Sequence, residues 1–127
     1  MTDPIFGEVI ASYTRAQALA DGEQIEVTAT AREAGITFPV FLTRAVWSEF
    51  VEVPDGVTCQ DESGRLWDII WMLRTAARQT PGPLLRFQFY VRNDNRKPKL
   101  VTLKAECGPR DIEDAQPAIT VMLPEED

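Results

Sequence analysis

Between residues 84 and 92 apolar and polar side chains alternate without a break. Leu85, Phe87, Phe89 and Val91 fall on one parity, and Arg86, Gln88, Tyr90 and Arg92 on the other. A period of two belongs to an extended strand with one buried face, because successive side chains of a strand point to opposite sides. Residues 99–107 repeat it, with Val101, Leu103, Ala105 and Cys107 opposed to Thr102, Lys104 and Glu106. Polar turn residues over 93–98 join the two runs, which predicts an antiparallel hairpin. After a loop expected over 108–116, Ile119, Val121 and Leu123 give a third strand. A sheet with one apolar face must have that face covered, so helices are expected against it.

Those helices are legible upstream. Leu66, Ile69, Ile70, Leu73 and Ala77 form one stripe at helical spacing over 63–78, stopped by Pro81, Gly82 and Pro83. Val46, Trp47 and Phe50 follow Thr43 as a short helix to about residue 51. Thr14 with Gln17 is a capping-box pattern, and Gly22 suits the left-handed residue that closes such a helix. Between them, 24–28 reads as a short strand and 30–34 as one helical turn closed by Gly35. Pro39 within apolar 36–42 argues for an extended lead-in and against a central strand. The expected fold is α+β: a C-terminal three-stranded antiparallel meander plus a short N-terminal strand, packed on one face by three helices. At 127 residues it is a single domain, 1–127.

Charge is partitioned along the chain. Residues 1–64 hold three Arg against eleven acids, 65–110 hold ten Lys and Arg against three acids, and 111–127 hold six acids and no base. Segregation of this kind makes opposed patches, and patches are where partners dock. A basic ridge is expected from Arg86, Tyr90, Arg92 and Lys104 on the strands, continued by Arg96, Lys97 and Lys99 at the hairpin tip. The plain alternative is a solvated sheet face whose Lys104 or Arg92 pairs with Glu106. A second surface is the helix stripe Trp67, Trp71, Arg74 and Arg78, in which tryptophan stacks on a ring and arginine grips an anion. Against that stands simple packing of both rings on the 43–51 helix. The acidic tail could fold over the basic ridge, present phosphate-like charge, or serve only as a solubilising tail.

Enzyme chemistry is poorly supplied. The chain has no histidine, which removes the commonest general base and metal ligand. Two cysteines far apart, Cys59 and Cys107, cannot build a four-thiolate zinc site and read as reduced thiols. No glycine-rich phosphate loop or nucleophile elbow occurs. Asp61, Glu62 and Asp68 are the only carboxylates placed for a hard cation, and acids at a helix start equally serve as caps. No cofactor is expected. The acidic N-terminal start over residues 1–4 lacks a signal-peptide pattern, and no uncharged stretch approaches the ~18 residues of a membrane helix, so the expectation is a cytoplasmic protein with no membrane partner.

Two stretches are distinctive: Tyr13, Thr14, Arg15, Ala16 and Gln17 onward to Gly22, and Asp61 through Gly64 onward to Trp67, Trp71 and Met72. With the strand Val101 to Lys104 and the ending from Ile119, the chain resembles a family of small uncharacterised bacterial proteins often encoded on plasmids and integrated mobile elements. The resemblance covers residues 5–124. It implies a bacterial cytoplasm and a mobile-element role, and carries no activity or site residue. Three functional readings stand: a non-enzymatic accessory protein binding nucleic acid or protein through its charge-segregated surface; an acidic mimic or inhibitor of a basic host protein; and a small metal-dependent hydrolase using Asp61, Glu62 and Asp68.

Overall fold

The alternating C-terminal runs form three strands of a five-stranded sheet. In the computed structural model, which describes residues 13–126, they are β3 (Leu84–Val91), β4 (Lys99–Asp111) and β5 (Asp114–Met122), with β1 (Gln24–Glu26) and β2 (Val40–Thr43) upstream. The order across the sheet is β1-β2-β5-β4-β3, antiparallel throughout except for the parallel β2–β5 pair. The architecture is α+β, with a mixed sheet. Residues 1–4, read above for a leader, and Asp127 of the acidic tail lie outside the described residues.

Two expectations are corrected. Val40–Thr43 is an inner strand, where Pro39 had argued against one. The proline stands one residue ahead of the strand, so its missing N–H costs nothing, while its carbonyl accepts the amide of Ile119 at 2.9 Å. The loop expected over 108–116 is mostly strand: β4 and β5 continue past Gly108 opposite Ala118 and Pro109 opposite Pro117. A register shift between Pro109 and Asp111 marks an irregularity of bulge type near the turn.

Helix α1 (Arg15–Ala20) begins at the predicted capping box and ends in a Schellman motif at Gly22, φ 76°. α2 spans Thr28–Glu33. α3 (Arg44–Val46), capped by the Thr43 hydroxyl, runs into a π-helical turn over Trp47–Val51. α4 (Glu62–Gln79) is capped by Asp61, whose Oδ1 accepts the Gly64 amide at 2.7 Å.

The core lies between one sheet face and the layer of α2, α3 with its π turn, and α4. Val40, Leu42, Val46, Val51, Ile69, Ile70, Leu73, Leu103 and Val121 are fully buried there. α1 sits on the opposite face, a third departure from expectation, since three helices were expected on one face. Its Arg15 guanidinium lies 4.1 Å over the Phe41 ring and donates to Thr120 Oγ1 at 3.0 Å, to Gln24 Oε1 at 2.7 Å and to the Arg110 carbonyl. Burial first, and the neighbouring Arg110 charge after it, lower the pKa of this arginine against the opposing pull of Asp111 and Glu26.

Candidate functional site: the β3 edge and its basic flanks

β3 ends the sheet, so among the described residues one side of its backbone has no strand partner. The Cys107 amide donates to the Pro83 carbonyl at 2.7 Å, which fixes the alternation of the ladder. Leu85, Phe87, Phe89 and Val91 therefore bond to β4, while the N–H and C=O groups of Leu84, Arg86, Gln88 and Tyr90 point to the open side. At the far end the edge is closed. The Arg92 carbonyl accepts Gln60 Nε2 at 2.9 Å and Arg65 Nη1 at 3.0 Å.

Arg65 itself is 5% exposed, an uncommon position for a cation. It is held by the Phe50 carbonyl at 3.0 Å, Gln60 Oε1 at 2.7 Å and Asn93 Oδ1 at 2.5 Å, besides Arg92. Desolvation lowers its pKa without neutralising it. No periodicity marks this residue, because it lies next to the apolar stripe and its partners are backbone and amide groups from three separate segments. Sequence reading missed it.

Two clefts run beside the edge. One, of about 710 Å³, is walled by Phe50, Arg65, Asp68, Tyr90 and Arg92, with the left-handed Cys59 (φ 63°) at its rim. The other, of about 660 Å³, lies between α4 and the edge, against Trp67, Trp71, Met72, Phe89, Tyr90 and Leu100. They share Asp68, Phe89 and Tyr90 and so make one trough. Partial enclosure raises the pKa of the Asp68 carboxyl. Of the seven exposed large hydrophobic residues described, four (Trp71, Leu84, Tyr90 and Leu100) border this edge, and Tyr90 is 67% exposed.

The expected ridge is divided. Arg86 and Lys104 stand directly opposite each other on the outer face, one register step from Gln88 and Thr102 and two from Tyr90 and Leu100. Lys99 pairs with Val91 and so projects to the helix-bearing face, where it borders a small cleft with Lys97, Asn93 and Phe50. Arg96 lies in the exposed turn, its amide bonded to Asp94 Oδ1 at 2.9 Å. Arg92 is turned into the molecule. Its guanidinium donates to the Thr58 carbonyl and to Asn95, tying the 52–61 loop to the hairpin.

The second predicted surface is assembled as a stack. Trp67 and Trp71 lie 5.8 Å apart at 21°, and the Arg74 guanidinium covers Trp71 at 4.6 Å. Its Nε is buried with no hydrogen-bond partner. Arg78 is exposed one turn further on. Trp67 packs partly on the core, while Trp71 is half open to solvent.

The acids of the C-terminal segment lie elsewhere. Glu126 accepts from the Thr43 hydroxyl and the Leu123 amide, both at 2.8 Å, which pins this part of the tail at β2. Asp111 and Asp114 hold the β4–β5 turn, at the opposite end of β4 from the basic hairpin tip. A strand of this length separates them by roughly 40 Å. Two strands, β5 and β4, separate β2 from β3.

A profile described as a family of unknown function, DUF6573, matches residues 5–127. The chain belongs to that family. Neither the curated proteins nor the solved structures gave a match. The expected kinship with a family lacking an assigned activity is thereby met. Among the described residues of this family member, no three His, Cys, Asp or Glu side chains are gathered to hold a metal ion, so Asp61, Glu62 and Asp68 do not converge. Asp61 is spent on the α4 cap. Cys59 and Cys107 are both free thiols, the first exposed and the second packed against the core. No helix among the described residues is long and apolar enough to cross a membrane.

Proposed function

We propose that the chain is a non-enzymatic accessory protein that binds an anionic macromolecule along the β3 edge. The observation that carries this is the Arg86–Lys104 cross-strand pair. Two cations directly opposite one another destabilise a sheet unless an anion comes between them. Exposed Tyr90 lies on the same face, Glu106 stands one register step away opposite Leu84 as the nearest acid in register, and the acids of the tail are fixed at β2 and at the β4–β5 turn. The resemblance noted in the sequence supports a bacterial cytoplasm and a mobile-element setting for this binding. Nucleic acid and acidic protein both fit the charge.

The test is fluorescence anisotropy of the full chain with labelled single- and double-stranded DNA, RNA and an acidic peptide, from ~50 to ~300 mM salt. At least one probe is expected to bind with an affinity that falls steeply with salt. The double variant Arg86→Glu, Lys104→Glu is expected to weaken that binding by more than about tenfold, as reversal of two contacts demands. Absence of binding by every probe at ~50 mM salt, or equal binding by the double variant, overturns the proposal.

A further inference from the structure

Resting on that reading, we infer that the anionic partner is an extended acidic segment of another protein, which adds to β3 as a sixth strand. The open side of β3 offers N–H and C=O groups in alternation at Leu84, Arg86, Gln88 and Tyr90. Only another polypeptide backbone answers alternating donors and acceptors at strand spacing; a phosphate backbone supplies acceptors alone. Natural edges are usually protected by charge, proline or a bulge. This edge carries one charge, Arg86, among Leu84, Leu85, Phe87, Phe89, Tyr90 and Val91, and its prolines stand before it, at Pro81 and Pro83. The bonds of Arg65 and Gln60 to the Arg92 carbonyl mark where the open segment stops.

The surroundings set the chemistry of the added strand. Its residues facing outward lie beside Arg86, with Lys104 on the strand behind, so carboxylates belong there. Alternate residues face the trough between α4 and the edge, where Trp67, Trp71, Met72 and Phe89 present apolar surface. The ligand is thus an extended peptide alternating acidic and apolar side chains, with backbone pairing giving affinity and the two faces giving selectivity. A second copy of this chain fits less well. Its β3 would bring a second Arg86 and Lys104 against the first pair, and like charges across strands repel. The remote β1 edge carries Gln24, Ile25 and Glu26, too short to fill the open segment.

The experiment uses the full chain and a fluorescein-labelled peptide of about eight residues alternating glutamate and valine, against three controls. One is the same peptide with its edge-facing amides N-methylated, which keeps the charge and removes the pairing. Another is a glutamate-rich helix-forming peptide of equal charge, and the last is single-stranded DNA. The alternating peptide is expected to bind, and N-methylation to weaken it at least about tenfold. Gln88→Pro in the protein removes an open N–H without touching the β3–β4 ladder, and is expected to have the same effect. Should Gln88→Pro fail to fold, the N-methylated peptide still decides the matter. Equal binding of the methylated or helical peptide, or tighter binding of DNA, overturns strand addition while leaving anion binding at the edge intact. Loss of binding by all four probes overturns both.

Discussion

Arg65 shows how a single side chain can organise a site that no pattern announces. Its guanidinium joins the Phe50 carbonyl, Gln60, the Arg92 carbonyl and Asn93, and so links the π turn, the loop before α4 and the end of β3. Removing it strands the Phe50 carbonyl, leaves the Arg92 carbonyl with Gln60 alone and loosens the closed end of the edge. Arg65→Ala is expected to cost about 3 kcal/mol, the scale of charge-assisted bonds lost from a buried site. Urea denaturation measures this, and a change under about 0.5 kcal/mol would contradict the role. The charge and strand parity of the candidate residues were legible singly, because both are local properties. Their division was not. Whether Lys99 shares a face with Tyr90 depends on register, and Arg92 is drawn inward by Thr58 and Asn95, whose nearness depends on the fold of the 52–61 loop.

Elements with local signals were read well from sequence. The box at Thr14, the cap at Thr43 and the stripe over Leu66 to Leu73 are written within a few residues, and each recurs in α1, α3 or α4. What failed required distant partners. β2 is an inner strand because β5 pairs with it in parallel, and no property of residues 36–42 announces a partner about 80 positions later. The docking of α1 is likewise long-range. Asp111 Oδ1 accepts the Ile112 amide at 2.8 Å and the Arg15 amide at 3.1 Å, and Oδ2 the Ala16 amide at 3.0 Å. These bonds, the Ile112 amide first, hold its carboxyl below the usual carboxylate range. A carboxylate whose folded pKa is depressed stabilises the protein above its unfolded pKa, and that stability is lost as pH falls through the folded value. Asp111→Ala should therefore lower Tm at about pH 7 and make progressively less difference below about pH 4. A Tm gap that persists undiminished at about pH 2 would contradict the assignment.

At the scale of the whole molecule, strand order turns a partition along the chain into a partition in space. Counting charges reveals the blocks, yet only the insertion of β5 between β2 and β4 carries the acidic tail away from the basic hairpin. An open, aromatic and positively flanked edge is the result, and the proposed binding rests on its being open. Amide hydrogen exchange of the free, full-length protein, resolved by residue in NMR spectra, tests that most directly. Slow exchange is expected for Leu85, Phe87, Phe89 and Val91, whose amides bond to β4, and exchange faster by at least about a hundredfold for Arg86, Gln88 and Tyr90. Uniform slow exchange along β3 would mean that the edge is already covered, and would contradict the account.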